Sequence, residues 1–291
     1  MVNTSRTKAT TRDVIGFYTV NVGKFSLTVL SDGTLEIDPH MWGATAPEGE
    51  LQALMRSQGV DVDVWYSGLH CLLVETEDKR ILVDTGAGEF AMPGSENNSG
   101  KLLPTLSAMG IQPEDITDVI VTHYHPDHVG NISIDGKPAF PNATYWLSQT
   151  EADFLANPDE DPFAPFANAK LQPVRDNDQL TIFNAGDEII PGIKTMPAPG
   201  HTPGHIVMMI GEGDEVLFHM VDCAPNPIVS LNHPEWHFAF DSDPNQGVET
   251  RRAMLGKAAD EKLLVMSYHF PFPALGYITR NGDAFAYTVS S

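Results

Sequence analysis

Four side chains able to bind a cation crowd into six residues of this sequence: His123, His125, Asp127 and His128, in the run His123-Tyr124-His125-Pro126-Asp127-His128. They follow directly on an apolar stretch, residues 118–122, that reads as a short buried strand. A strand end that releases into a proline-containing turn lets alternate side chains converge on one point, as coordination requires. Imidazole and carboxylate donors together suit Zn²⁺, Mn²⁺, Co²⁺ or Fe²⁺. No cysteine pair lies nearby to suggest a structural zinc site. Four donors from one turn would crowd a single ion, so two adjacent ions are the better geometry.

The elements that must position this cluster can be read around it. Phe17–Val22 and residues 25–30 predict a hairpin turning near Gly23-Lys24, followed by a helix over residues 51–57. Residues 69–75 and 80–84 predict strands around the charged turn Glu77-Asp78-Lys79, and Val83-Asp84-Thr85-Gly86 ends the second in a glycine turn. A long polar loop, residues 93–100, precedes a helix over 102–109. Residues 156–178 are rich in proline, aspartate and asparagine and read as an insertion or lid-like segment. Strands follow at 193–196, 206–210 and 216–219, then a helix over 246–259 and a strand at 263–267. Strands in both halves, with helices between and after them, fit an α/β sandwich of two sheets flanked by helices. Residues 1–16 read as a flexible segment and 17–291 as one domain.

A formal charge of −22, from 39 acidic and 17 basic side chains, argues against nucleic acid and anionic lipid as partners. It equally disfavours multiply charged anionic substrates. Two cysteines, Cys71 and Cys223, cannot form a disulfide framework, although the count leaves one bridge open, and Cys71 sits in an apolar run as a small buried hydrophobe would. No stretch is long and apolar enough for a membrane span, and residues 1–13 lack a signal-peptide core. The expected address is cytoplasmic, or periplasmic or secreted if a leader has been removed.

The pattern H-x-H-x-D-H at 123–128 resembles the signature of the metallo-β-lactamase superfamily, and further motifs of that family follow in order. Ala198-Pro199-Gly200-His201-Thr202-Pro203-Gly204-His205 resembles its second motif, Val221-Asp222 its metal-bridging aspartate, and Tyr268-His269-Phe270 its last histidine. Asp84, in the upstream D-T-G turn, matches the aspartate that orients a ligand histidine from behind. The resemblance implies an αββα four-layer sandwich and two divalent metal ions per chain, zinc first, with manganese, cobalt or iron as alternatives. His123, His125 and His201 would hold one ion; Asp127, His128 and His269 the other; Asp222 would bridge. Two cations roughly 3.5–4 Å apart share a water whose pKa falls toward about 7, which supplies a hydroxide nucleophile. Asp127 is then the expected proton shuttle to the leaving group.

Within the superfamily, His125 stands where redox members carry glutamate, and the acidic chain lacks the basic inserts of nucleases. Only Arg280 follows the last ligand, against a glutathione thioesterase. Asp222 and Pro225 stand where the cysteine-ligand β-lactamases carry cysteine and lysine. Gly136-Lys137-Pro138-Ala139-Phe140-Pro141-Asn142-Ala143 and His269-Phe270-Pro271-Phe272-Pro273-Ala274-Leu275-Gly276 resemble the methyl parathion hydrolase-like and lactonase branch. That branch implies a hydrolase of small neutral esters: lactones, aryl esters and, in some members, organophosphate triesters. Pro225 also replaces the carbonyl-polarising tyrosine of many lactonases. Phe90 and Phe154 match aromatic pocket positions, with Trp65, Trp236 and Phe270 as further expected pocket residues. The resemblance further implies a homodimer through the N-terminal segment. The alternatives are a β-lactamase-like or thioester hydrolase on the same fold and, from another class, a non-catalytic metal-binding module.

Overall fold

A computed structural model describes residues 16–91, 98–158 and 161–290. Two seven-stranded sheets carry the architecture, and in each the spatial order of the strands is their order in the chain. The first sheet runs Phe17–Val22, Phe25–Ile37, Trp65–Glu75, Arg80–Val83, Asp118–Val121, Thr144–Ser148 and Leu180–Phe183. Its first four strands pair antiparallel and its last three join in parallel. The second runs Glu188–Ile190, Ile193–Pro197, Ile206–Glu212, Glu215–Val221, Leu264–Ser267, Leu275–Asn281 and Ala284–Val289. There only Glu215–Val221 and Leu264–Ser267 pair in parallel, and the helix Pro244–Asp260 makes the crossover between them.

Alternation along the strands decides what each face buries. Leu72, Val74, Ile81, Val83 and Ile120 join Ile206, Met208 and Phe218 of the second sheet in one apolar cluster, which closes the space between the sheets. Their neighbours Leu73, Leu82, Val119 and Val121 belong to a second cluster with Leu102, Leu106 and Leu171, on helices outside the first sheet. The helix Pro244–Asp260 packs over Leu275–Asn281 on the outside of the second sheet. Helix, sheet, sheet, helix is the four-layer sandwich expected from the sequence.

Several elements differ from the sequence expectation. The strand expected at 25–30 continues to Ile37, because Ser31-Asp32-Gly33 is a bulge and not a turn. Gly33 has φ +109 there, and buried Asp32 accepts hydrogen bonds from the amides of Ala87, Gly100 and Leu102. Within 156–178, expected as an insertion or lid-like segment, the described residues form the helix Ala164–Asp176, which fills most of the span. It buries Ala164, Ala167, Leu171 and Val174, an i, i+3, i+7 stripe hidden in the sequence by Pro165 and Pro173. Pro165 is harmless in the first turn, where its missing N–H would lack a partner anyway. Residues 1–15, expected to be flexible, and 93–97 of the expected polar loop lie outside the described residues. Among the described residues no helix is long and apolar enough to cross a membrane. Cys71 and Cys223 are buried and free.

Candidate metal centre

The functional side chains sit where strands end. Asp118–Val121 releases into His123 and His125, and the one-turn helix Pro126–Val129 turns Asp127 and His128 back toward them. Gly130 follows at a point where a Cβ would collide with the Ala87 carbonyl, so only glycine lets this loop touch the Asp84-Thr85-Gly86 turn. On the second sheet, His201 lies between Ile193–Pro197 and Ile206–Glu212, and Asp222 and His269 each follow a strand. Val221 adopts φ +48, rare for a β-branched residue, at the end of a strand whose register shifts between His219 and Val221. That kink places Asp222.

The structure brings His123, His125 and His201 together as one set of donors, and Asp127, His128 and His269 as another. His123, His128 and Asp222 form a third set between them, and within each set all donor atoms lie within 4.8 Å of one another. Asp222 Oδ2 is 3.0 Å from His269 Nε2, 3.3 Å from His201 Nε2 and 3.6 Å from His128 Nε2. Asp127 Oδ2 is 3.6 Å from His269 Nε2 and 3.7 Å from His128 Nε2.

Behind the donors, hydrogen bonds fix which ring nitrogen faces inward. His128 Nδ1 donates to Asp84 Oδ2 at 2.8 Å, while Asp84 also accepts from the amide and hydroxyl of Thr122. His269 Nδ1 donates to the Gly68 carbonyl at 2.8 Å, and His201 Nδ1 to Asp241 Oδ1 at 3.0 Å. Asp241 is in turn paired with buried Arg251 at 3.0 Å. The same guanidinium donates to the carbonyls of Cys223, Pro234 and Trp236. Glu151, fully buried, accepts from the Tyr124 amide, the Thr202 hydroxyl and the Gly204 amide, and so ties the two histidine loops to each other. Sequence reasoning found Asp84 but missed Asp241, Arg251 and Glu151. None belongs to a recognisable motif, and only its burial marks it.

Burial, reinforced by neighbouring imidazoles, pushes His123 and His125 well below the usual histidine range. Burial opposes charge on His128 and His201 too, but carboxylates win: Asp222, Asp127 and Asp84 raise His128, and Asp222 and Asp241 raise His201 to about 9. Asp222 is held well below the carboxylate range by His269 and His128 despite its burial. The Nε2 atoms of His123 and His128 and Oδ1 of Asp222 are buried and have no hydrogen-bond partner. Buried polar atoms left without a partner in this way are costly unless a cation meets them. The donor set therefore fits two divalent ions.

Above the donors opens a cleft. Its apolar lining includes Leu35, Ile37 and Trp42 on one side, and Phe90, Phe163, Phe238 and Phe240 around the rest. Among the described residues that line it there is no lysine or arginine. Of the five aromatic residues expected to line a pocket, Phe90 does; the other four lie elsewhere. Phe154 stacks behind the cleft on Tyr124, with ring centroids 5.3 Å apart. Trp236 is in the core, stacked on His233 at 3.8 Å. Phe270 is fully buried between the sheets against Tyr287, and Trp65 packs against the first sheet's core. Two of these rings are buried and two pack against the core, and sequence position alone does not separate such rings from cleft lining.

Buried imidazoles and carboxylates converging on unpartnered lone pairs at the floor of a cleft define a metal-dependent hydrolase. Residues 68–254 match the metallo-β-lactamase superfamily, and the chain belongs to that family. Among its relatives is an N-acyl homoserine lactonase from Bacillus sp, 30% identical over 193 residues, covering 61% of this chain and 67% of the relative. A second N-acyl homoserine lactonase, from Bacillus thuringiensis, is 30% identical over 176 residues, covering 54% of this chain and 62% of the relative. The matched part thus spans about two thirds or less of these curated relatives. Among solved structures, AidC, a dizinc quorum-quenching lactonase in complex with a product, is 28% identical with a TM-score of 0.89, covering 95% of this chain and 98% of that one. The hydrolase AbOPH of the β-lactamase superfamily is 27% identical with a TM-score of 0.88, covering 96% and 99%.

Proposed function

We propose that this protein hydrolyses small neutral esters, with lactones bearing an apolar acyl group as its main substrates. The observation that carries the reading is the pairing of a two-ion donor nest with an aromatic cleft whose described lining residues include no lysine or arginine. His123, His125 and His201 would hold one ion and Asp127, His128 and His269 the second, with Asp222 between. Two ions bound there would polarise the ester carbonyl and acidify water toward neutral pH. The chain's own contribution is placement. Asp84, Asp241 and the Gly68 carbonyl hold three imidazoles with Nε2 facing into the nest. Phe238, stacked on His201 at 5.4 Å, and Phe163, 5.3 Å from His125, exclude water from the side where the acyl group lies. Asp127, which lines the cleft and is the more exposed of the two carboxylates in the nest, carries a proton to the leaving oxygen. The same aromatic walls suit the aryl group of an aryl ester or phosphotriester, a secondary activity of the same site. The similarity to N-acyl homoserine lactonases supports the lactone over these.

The test is a panel of N-acyl homoserine lactones, dihydrocoumarin and methyl parathion, run on the metal-reconstituted protein beside His123→Ala. The expected order is lactones first, then aryl ester, then phosphotriester. No lactone or ester turnover above the His123→Ala control would remove the reading.

A further inference from the structure

Tyr124 lies between two donors in sequence, yet its own side chain points to a different task. Its ring is fully buried and stacks on Phe154. Its hydroxyl donates to Asp161 Oδ2 at 2.6 Å, the short distance of a charge-assisted bond. The other oxygen of Asp161 accepts the backbone amides of Phe163 at 2.8 Å and Ala164 at 2.9 Å. Asp161 therefore fixes the start of the helix Ala164–Asp176, and Tyr124 fixes Asp161. That helix start carries one cleft wall directly, since Phe163 lines the cleft. It supports another at second hand: Phe166 meets the ring of Phe90 at 5.9 Å, and Lys170 bridges to Glu89 at 2.7 Å. Phe163, the residue before this helix, and Phe90, packed on its Phe166, thus both depend on a helix start anchored by a hydroxyl from within the histidine motif.

We propose that Tyr124 is a specificity-determining positioning residue: its hydroxyl, latched to Asp161, sets the spacing of the Phe163 and Phe90 walls and so the fit of the substrate's acyl or aryl group. The proposal rests on the reading of the cleft as the substrate site. The Tyr124 amide already serves the donor loop through Glu151, so the side chain is free to serve the wall. Removing the hydroxyl while keeping the ring separates the two roles.

The experiment compares wild type, Tyr124→Phe and Asp161→Asn, each metal-loaded, on an unsubstituted five-membered lactone and on a lactone with a long N-acyl chain. The expected result is a KM for the long-chain substrate raised roughly 3–10-fold. The KM for the small lactone, kcat on both and the ion content would stay close to wild type. Hydrogen exchange at the Phe163 and Ala164 amides supplies a readout independent of turnover, and it should accelerate in Tyr124→Phe. Equal loss on both lactones, or a fall in kcat together with ion content, would show that Tyr124 acts through the donor loop and overturn the proposal. Unchanged exchange would overturn it as well. If wild type turns over neither lactone, the functional reading fails, and amide exchange alone then decides whether the latch exists.

Discussion

On the floor of the cleft each of three imidazoles has a fixed oxygen behind it: Asp84 behind His128, Asp241 behind His201 and the Gly68 carbonyl behind His269, all at 2.8–3.0 Å. On the walls, Phe90, Phe163, Phe238 and Phe240 are held by ring contacts with centroids 5.3–6.4 Å apart. Hydrogen bonds fix direction and tautomer, so the floor tolerates little change. Ring contacts fix volume and tolerate replacement by other apolar groups. Floor changes should therefore cost chemistry, whereas wall changes should alter which substrate fits.

The largest effect should come from the centre of the floor. Asp222→Asn removes the carboxylate that faces His128, His201 and His269. It should lower kcat/KM by about 10³-fold or more, equivalent to ~4 kcal/mol of transition-state stabilisation. Steady-state kinetics at saturating metal would check this, and a loss confined to KM would break the contrast between floor and wall.

One step outward, Asp241→Asn replaces the acceptor behind His201 with an amide that can present the wrong group. The affinity for one of two ions should fall about 10–100-fold, with the other retained. A graded chelator titration followed by ion content reads this directly. Parallel loss of both ions would mean that Asp241 only holds the fold.

A smaller effect should appear where the floor is stitched together. Burial pushes Glu151 up to about 7 from its ordinary 4.5, against the hydrogen bonds it accepts from Thr202, Gly204 and Tyr124. A carboxyl raised in the folded state contributes stability that is full below about pH 4.5 and lost as pH rises through about 7. Glu151→Gln does not titrate, so the stability advantage of wild type over this variant should narrow between pH 5 and pH 8, by roughly 3 kcal/mol at most. Urea unfolding of the metal-free proteins at the two pH values measures it. A gap that widens with pH would contradict the assignment.

The smallest effect belongs to the wall itself. Phe90→Leu keeps an apolar surface, and KM for an acyl lactone should move by about 3-fold or less with kcat unchanged. A large fall in kcat would show that the wall is part of the chemistry.

The same contrast explains what the sequence reveals. His123 to His128 are local in the chain, so the centre of the floor can be read directly. His201, Asp222 and His269 each follow a strand, and their order along the chain makes them legible through family resemblance. The two-sheet sandwich is legible for the related reason that strand alternation is a local signal. The supports are not: Asp241, Arg251 and Glu151 are single charged residues that become special only when the fold buries them. The walls are less legible still. Phe163, Phe238 and Phe240 line the cleft while Phe154, Trp236 and Phe270 do not, and nothing in local pattern separates the two groups. The helix Ala164–Asp176 was masked by its prolines, because local propensity does not register the apolar face that tertiary packing rewards.

The donor geometry predicts that this nest holds two ions and that turnover needs both. The most direct measurement strips the protein with a chelator, then follows ion content and lactone hydrolysis together as zinc or manganese is returned. Two ions per chain, with turnover recovered only as the second is bound, is the predicted result. Full turnover in the stripped protein, or saturation of activity at one ion per chain, would contradict the account.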